Sequence, residues 1–276
     1  MTRPCSTSCV HDESGRTRPA ALARLALTGG AMVLASGLVL VGALGPRYGR
    51  IGRAGVAASL GSRILLRALG IRVVRHGVVR DGAALVVANH VSWVDILVIA
   101  ATAPVVPVAK CEIARWPVIG GLARRIGAVF VPRRTGRDLP EAVDQVAGLL
   151  RRGHRVLIFP EATTTCGGPP AGFYRAGFQA AVDAAAPVVP VAIDYADGRG
   201  RPTTSAAFVG DDDLLSSLWR VLRSGTVVAD LWWQPAAPAI QDGGHRASHR
   251  ARAATRAHDR ISHRLLAGAV GPGRRG

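Results

Sequence analysis

The residue types and spacing best suited to chemistry lie in 84–99, where the apolar run Ala-Leu-Val-Val-Ala ends at Asn89-His90-Val91-Ser92-Trp93-Val94-Asp95. Histidine is the side chain whose ordinary pKa suits proton transfer near neutrality. A carboxylate that accepts from one imidazole nitrogen fixes the tautomer and stabilises the imidazolium, leaving the other nitrogen to take a proton from a hydroxyl. The pattern predicts a strand ending at Asn89 and His90, then a helix opening near Ser92, with Ser92 as N-cap and Asp95 in the first turn. Imidazole and carboxylate can then face one another at a strand's C-terminal end, where open α/β sheets place their ligands. His90 and Asp95 are the candidate catalytic pair, and Asn89 and Ser92 are candidates for substrate contact beside it. Taken alone, such a pair is more often structural, with His90 capping a strand and Asp95 capping the helix.

Such a pair needs a rigid frame, and the rest of the chain predicts one. Strand-like runs fall at 71–79, 84–88, 105–109, 128–131, 155–159, 188–193, 206–209 and 226–232, with helix-like stretches at 93–101, 117–126, 139–151, 175–185 and 211–223. This alternation predicts an α/β fold with a mixed, largely parallel sheet flanked by helices. Four regions are expected. Residues 1–19 are polar and are expected to lack structure. Residues 20–70 contain an uncharged apolar run, 25–44, long enough to cross a bilayer's hydrocarbon core. After it comes a basic amphipathic stretch, 50–70, suited to a membrane surface. Residues 71–240 form the catalytic domain, and 241–276 a basic C-terminal helix and tail. The length of the apolar run and the lack of a clear cleavage site disfavour a signal peptide, which leaves a spanning helix, a re-entrant or interfacial anchor, or a buried core helix. Arginines flank both ends, so they give no orientation.

Composition narrows the partners. The chain of 276 residues is 49% hydrophobic and carries a formal net charge of +17. That excess favours a polyanionic partner. Aromatics make up only 5%, are not interleaved with the basic runs, and accompany no zinc-finger or RNA-binding signature, so anionic membrane lipid is expected in place of nucleic acid. Cys5, Cys9, Cys111 and Cys166 are too few and scattered for a disulfide framework. Cys5 and Cys9 have a metal-like spacing without a second ligand pair, so no metal site is expected.

Three further blocks follow in order: Gly127-Ala-Val-Phe-Val-Pro-Arg133, Phe159-Pro-Glu-Ala-Thr-Thr164, and Val188-Val-Pro-Val-Ala-Ile193. With Asn89–Asp95 they resemble the four motifs of the glycerolipid acyltransferase family that includes 1-acylglycerol-3-phosphate acyltransferases. The resemblance implies a glycerol-3-phosphate acyltransferase-like fold and transfer of an acyl group to a lysophospholipid hydroxyl, first of all that of 1-acyl-sn-glycerol 3-phosphate. The donor would be acyl-CoA or acyl-carrier protein, with no cofactor beyond the donor's carrier. The acceptor hydroxyl itself attacks the thioester, so no Ser or Cys nucleophile is needed. By the same resemblance Arg133 contacts the anionic headgroup, with Arg134 able to share the role. Glu161, Thr163 and Thr164 support the acceptor site, and Pro190 shapes a pocket. The family sites such enzymes at the cell membrane, here with the catalytic domain expected on the cytoplasmic side.

Two residues depart from the family pattern. Ala162 stands where glycine is usual, which predicts a reshaped turn. Thr164 stands where many members have arginine, removing one cation from the phosphate site, and Arg175 is the candidate to replace it. That substitution leaves acceptor identity open between lysophosphatidic acid and a different lyso-lipid such as a lyso-aminolipid. A non-catalytic basic membrane-binding protein is the reading from another class. No Gly-x-Ser-x-Gly elbow for a hydrolase is present.

Overall fold

The computed structural model describes residues 5–11, 15–44, 49–131, 139–238 and 245–270. Among the described residues seven strands form one sheet: β1 (Ile71–His76), β2 (Ala84–Ala88), β3 (Val106–Lys110), β4 (Val129–Val131), β5 (Arg155–Ile158), β6 (Val188–Asp197) and β7 (Val227–Trp233). Their order is β1-β7-β6-β2-β5-β3-β4, and all pairs are parallel except β6 with β7. The mixed, largely parallel sheet expected from the alternation is therefore present.

Strand β2 lies in the interior of the sheet and is buried along its whole length. Its side chains divide by the period of two, which is how a strand covered on both faces uses an unbroken apolar run. Val86 and Ala88 enter a core shared with Leu66 of α2 (Arg50–Ala68) and Leu69 just after it, Val94, Val98 and Ile99 of α3 (Val94–Thr102), and Leu222 of α7 (Leu214–Arg223). Leu85 and Val87 enter a second core on the opposite face. There they meet Val146 and Leu150 of α5 (Leu139–Arg151), Phe178 of α6 (Phe178–Asp183), and Ile261 and Leu265 of α8 (Arg246–Val270). The other short helix, α4, spans Ile119–Arg125.

Helix α1 (Arg18–Gly42) is the one described helix long and apolar enough to cross a membrane, by length and composition. One face packs closely on α2. A Cβ on Gly61 would lie only 2.8 Å from the Cβ of Ala35, so this glycine is what lets the two helices approach. The other face leaves Val33, Leu34 and Val41 exposed. Arg24 donates to the carbonyl oxygens of Leu222 and Ser224, tying the foot of α1 to the end of α7.

Three expectations require correction. The run 206–209 is not a strand; Ala206, Ala207 and Val209 are buried as an irregular segment packed on the core, so apolarity there reports burial and not pleating. The helix expected over 175–185 is confined to Phe178–Asp183, because Arg175–Gly177 turn into it and Ala185 leaves it at φ 50°. The N-terminal segment is not without structure: Thr7–Cys9 form a 3-10 turn, the His11 N–H donates to Thr204 Oγ1, and the Arg16 N–H donates to the Arg223 carbonyl.

Candidate functional site

Parallel pairing builds the site. Val87 of β2 stands opposite Ile158 of β5 in register. Residues three positions beyond each, His90 and Glu161, therefore leave the sheet side by side at its C-terminal edge. The His90 N–H donates to Glu161 Oε1 at 2.8 Å.

Local sequence sets the histidine–carboxylate contact. Asp95 lies in the first turn of α3, where the partial positive charge of the helix N-terminus favours a carboxylate. Its Oδ2 accepts from His90 Nδ1 at 2.8 Å, the Val91 N–H at 2.7 Å and the Ser92 N–H at 2.8 Å. The hydroxyl of Tyr195 donates to Oδ1 at 2.6 Å. Asp95 is completely buried, and a carboxylate there requires this density of donors to offset its lost hydration. With Nδ1 protonated toward Asp95, Nε2 of His90 carries the free lone pair, and no described residue bonds it. The imidazole stacks on the ring of Phe159, centroids 4.0 Å apart and planes 15° from parallel, which fixes its plane. The His90 side chain keeps 20% of its surface exposed. The result is an anchored base with one open nitrogen.

Glu161 is the second carboxylate of the site and only 8% exposed. Burial pushes its carboxyl up to about 7, against the lowering influence of the His90 N–H, and the nearby Asp95 charge adds to the rise. Glu161 therefore changes protonation near neutrality. Tyr195 responds to the same neighbour: burial first, then Asp95, hold its hydroxyl protonated far above the usual range, so it acts as a donor. The turn after Glu161 returns to the histidine, since the Thr165 N–H donates to the His90 carbonyl at 2.8 Å. Ala162 occupies the left-handed region at φ 56° within that turn. Glycine adopts that conformation without steric cost, whereas the alanine carries strain there.

The remaining expected residues divide sharply. Asn89 is buried and uses both ends of its amide on β6, donating to the Ile193 carbonyl at 2.9 Å and accepting the Ile193 N–H at 2.8 Å. Ser92 is fully buried and its Oγ accepts from the Val94 N–H at 3.2 Å. Both are buried and tie the motif to its own backbone and to β6. Thr163 is exposed beside Glu161. Thr164 Oγ1 donates to the Phe208 carbonyl, so its side chain serves the 206–209 segment. Arg175 is exposed, with no side-chain partner among the described residues. Pro190 is buried in β6 opposite Val87, a packing position. Arg133 and Arg134 lie outside the described residues.

Tyr195, Phe159 as a stacking partner and Thr165 were not identified from sequence spacing. Tyr195 is 100 residues from Asp95, and its one local signal is a tyrosine in a mostly apolar strand.

A family model described as "Acyltransferase" matches residues 70–194, a span that contains His90, Asp95, Arg133 and Glu161. The chain is 44% identical over 137 residues to a lyso-ornithine lipid O-acyltransferase of Pseudomonas aeruginosa, covering 50% of this chain and 52% of that one. It is 39% identical over 154 residues to a 1-acyl-sn-glycerol-3-phosphate acyltransferase of Neisseria gonorrhoeae, covering 56% and 60%. The chain thus spans between half and three fifths of the length of these two relatives. A longer match, 34% identity over 244 residues and 83% of each chain, is to a lyso-ornithine lipid O-acyltransferase of Rhodobacter capsulatus. The crystal structure of a 1-acyl-sn-glycerophosphate acyltransferase from Thermotoga maritima shares the fold, with a TM-score of 0.64 over 92% of this chain and 99% of that one at 19% identity.

Proposed function

The chain belongs to the glycerolipid acyltransferase family, and on the geometry of its site we propose that it moves a fatty acyl group from a thioester donor to a lyso-lipid hydroxyl. One observation carries this reading: Nε2 of His90 is open while Nδ1 is fixed on a buried, four-donor Asp95. Nε2 takes the proton of the acceptor hydroxyl as its oxygen attacks the thioester carbonyl carbon. Collapse of the tetrahedral intermediate breaks the C–S bond, and the imidazolium returns the proton to the departing thiolate. Asp95 stabilises the imidazolium between these steps. The donor is acyl-CoA or acyl-carrier protein, and no cofactor beyond the donor's carrier enters the balance.

The acceptor we propose first is 1-acyl-sn-glycerol 3-phosphate, giving phosphatidic acid, with Arg133 and Arg175 as the cations that would bind its headgroup. A lyso-ornithine lipid is the second reading. Thr164 favours it, because its side chain is committed to the Phe208 carbonyl where a further cation would suit a phosphate monoester. The names of the Pseudomonas and Rhodobacter relatives favour it too. The exposed apolar face of α1 supports attachment to the cell membrane, spanning or interfacial, with the catalytic domain on the cytoplasmic side and basic surfaces against anionic lipid.

The test is incubation of purified full-length enzyme with labelled acyl-CoA and both lyso-lipids, followed by product mass. His90→Ala should lower kcat/KM by about 10²–10⁴-fold with folding intact. A variant retaining half the activity removes His90 from the mechanism.

A further inference from the structure

Away from the acyl-transfer chemistry, the fold brings together three thiols that the sequence leaves apart. The sulfur atoms of Cys5, Cys9 and Cys166 all lie within 4.8 Å of one another, and the four cysteines are unpaired. Cys5 and Cys9 come from the turn before α1. Cys166 follows the Glu161 loop, 161 residues from Cys5, and its N–H donates to Cys5 Sγ at 3.4 Å. The N-terminal segment is seated independently of these sulfurs, by His11 on Thr204 and by Ser6 against Gly210. The third ligand is thus supplied by tertiary structure, against the expectation that Cys5 and Cys9 lack partners.

The geometry points to a trithiolate site for a thiophilic metal ion, Zn²⁺, that staples the N-terminal segment to the loop behind His90. Zinc–sulfur bonds of about 2.3 Å in a tetrahedron place the sulfurs about 3.8 Å apart, so the thiols need to close by at most roughly 1 Å. The 3-10 turn has no buried residue and can make that adjustment. Soft thiolates select such ions over magnesium or calcium, which prefer oxygen ligands. Three S–H groups lose three protons as three Zn–S bonds form, giving a site of net charge −1, and water completes the fourth position. A disulfide would use two of the sulfurs and strand the third. Occupancy would also hold Thr165, the neighbour of Cys166, whose N–H donates to the His90 carbonyl.

The experiment uses the full chain in detergent, fully reduced, loaded with zinc and dialysed. Retention of about one zinc per chain is expected, with Cys5→Ser, Cys9→Ser or Cys166→Ser each binding at least tenfold more weakly and Cys111→Ser unchanged. Cobalt added to the wild-type protein should show thiolate-to-metal charge-transfer bands, a readout that needs no variant and no activity. Zinc should also protect three of the four thiols from a disulfide reagent. Wild-type protein that retains no more zinc than Cys166→Ser, or cobalt without thiolate bands, overturns the proposal. So does peptide mapping that finds two of the three thiols joined in the protein as isolated, because the cluster would then be a redox pair.

Discussion

Replacing Glu161 with glutamine should remove a pH dependence of stability that this one side chain imposes. The carboxyl stands at about 7 in the folded protein against an ordinary 4.5, chiefly because it is buried. Between those two values the folded protein holds a proton that the unfolded chain has released. Stability therefore falls as pH rises through the window, and the loss is complete above about 7. At about 1.36 kcal/mol per pH unit, the penalty reaches roughly 3 kcal/mol. With Glu161 only 8% exposed, little of this is screened by solvent. Glutamine has no proton to lose, and its amide oxygen can still accept the His90 N–H. Urea unfolding of both proteins in mild detergent, from pH 4.5 to 8, gives the difference directly, since every other titrating group cancels. The variant should gain about 3 kcal/mol on the wild-type protein across that range. A flat difference would show that Glu161 titrates as an ordinary carboxylate. A wild-type protein that gains with pH would show that a cation holds it ionised, and the reasoning from burial would be refuted.

Three further outcomes follow from the site. Tyr195→Phe removes one donor from Asp95 while the three N–H donors remain; at about 1.5–3 kcal/mol for a bond to a charged group, kcat should fall about tenfold or more with KM unchanged. Equal losses in kcat and affinity, or no loss, would mean that Tyr195 only packs. Ala162→Gly should raise the urea midpoint by an amount equivalent to about 1 kcal/mol, because glycine adopts φ 56° without steric cost; a lower midpoint would contradict the turn geometry. Arg175→Ala should cost about tenfold in kcat/KM for the phosphate monoester acceptor and little for lyso-ornithine lipid. Equal effects on both acceptors would take Arg175 out of headgroup recognition.

The sequence by itself determined what short-range geometry dictates. The apolar run of β2 requires cover on both faces, which predicts a buried strand in an α/β sheet. A strand end followed by a helix start fixes the relation of His90 to Asp95, because only a few backbone angles separate them. The same local logic marks α1 as apolar and long. Tertiary structure decided everything that depends on which strands lie side by side. Glu161 reaches His90 because β5 pairs with β2 in parallel register. Asn89, beside the dyad, proved to be spent on Ile193, a contact across 104 residues. Tyr195 completes the cage around Asp95 from β6, and Cys166 joins Cys5 and Cys9 from the far side of the chain. The run 206–209 shows the limit from the other direction, for burial in a core and burial in a sheet select the same apolar residues. Composition records that a segment is hidden from water; only the packed chain decides whether a neighbouring strand or a layer of side chains hides it.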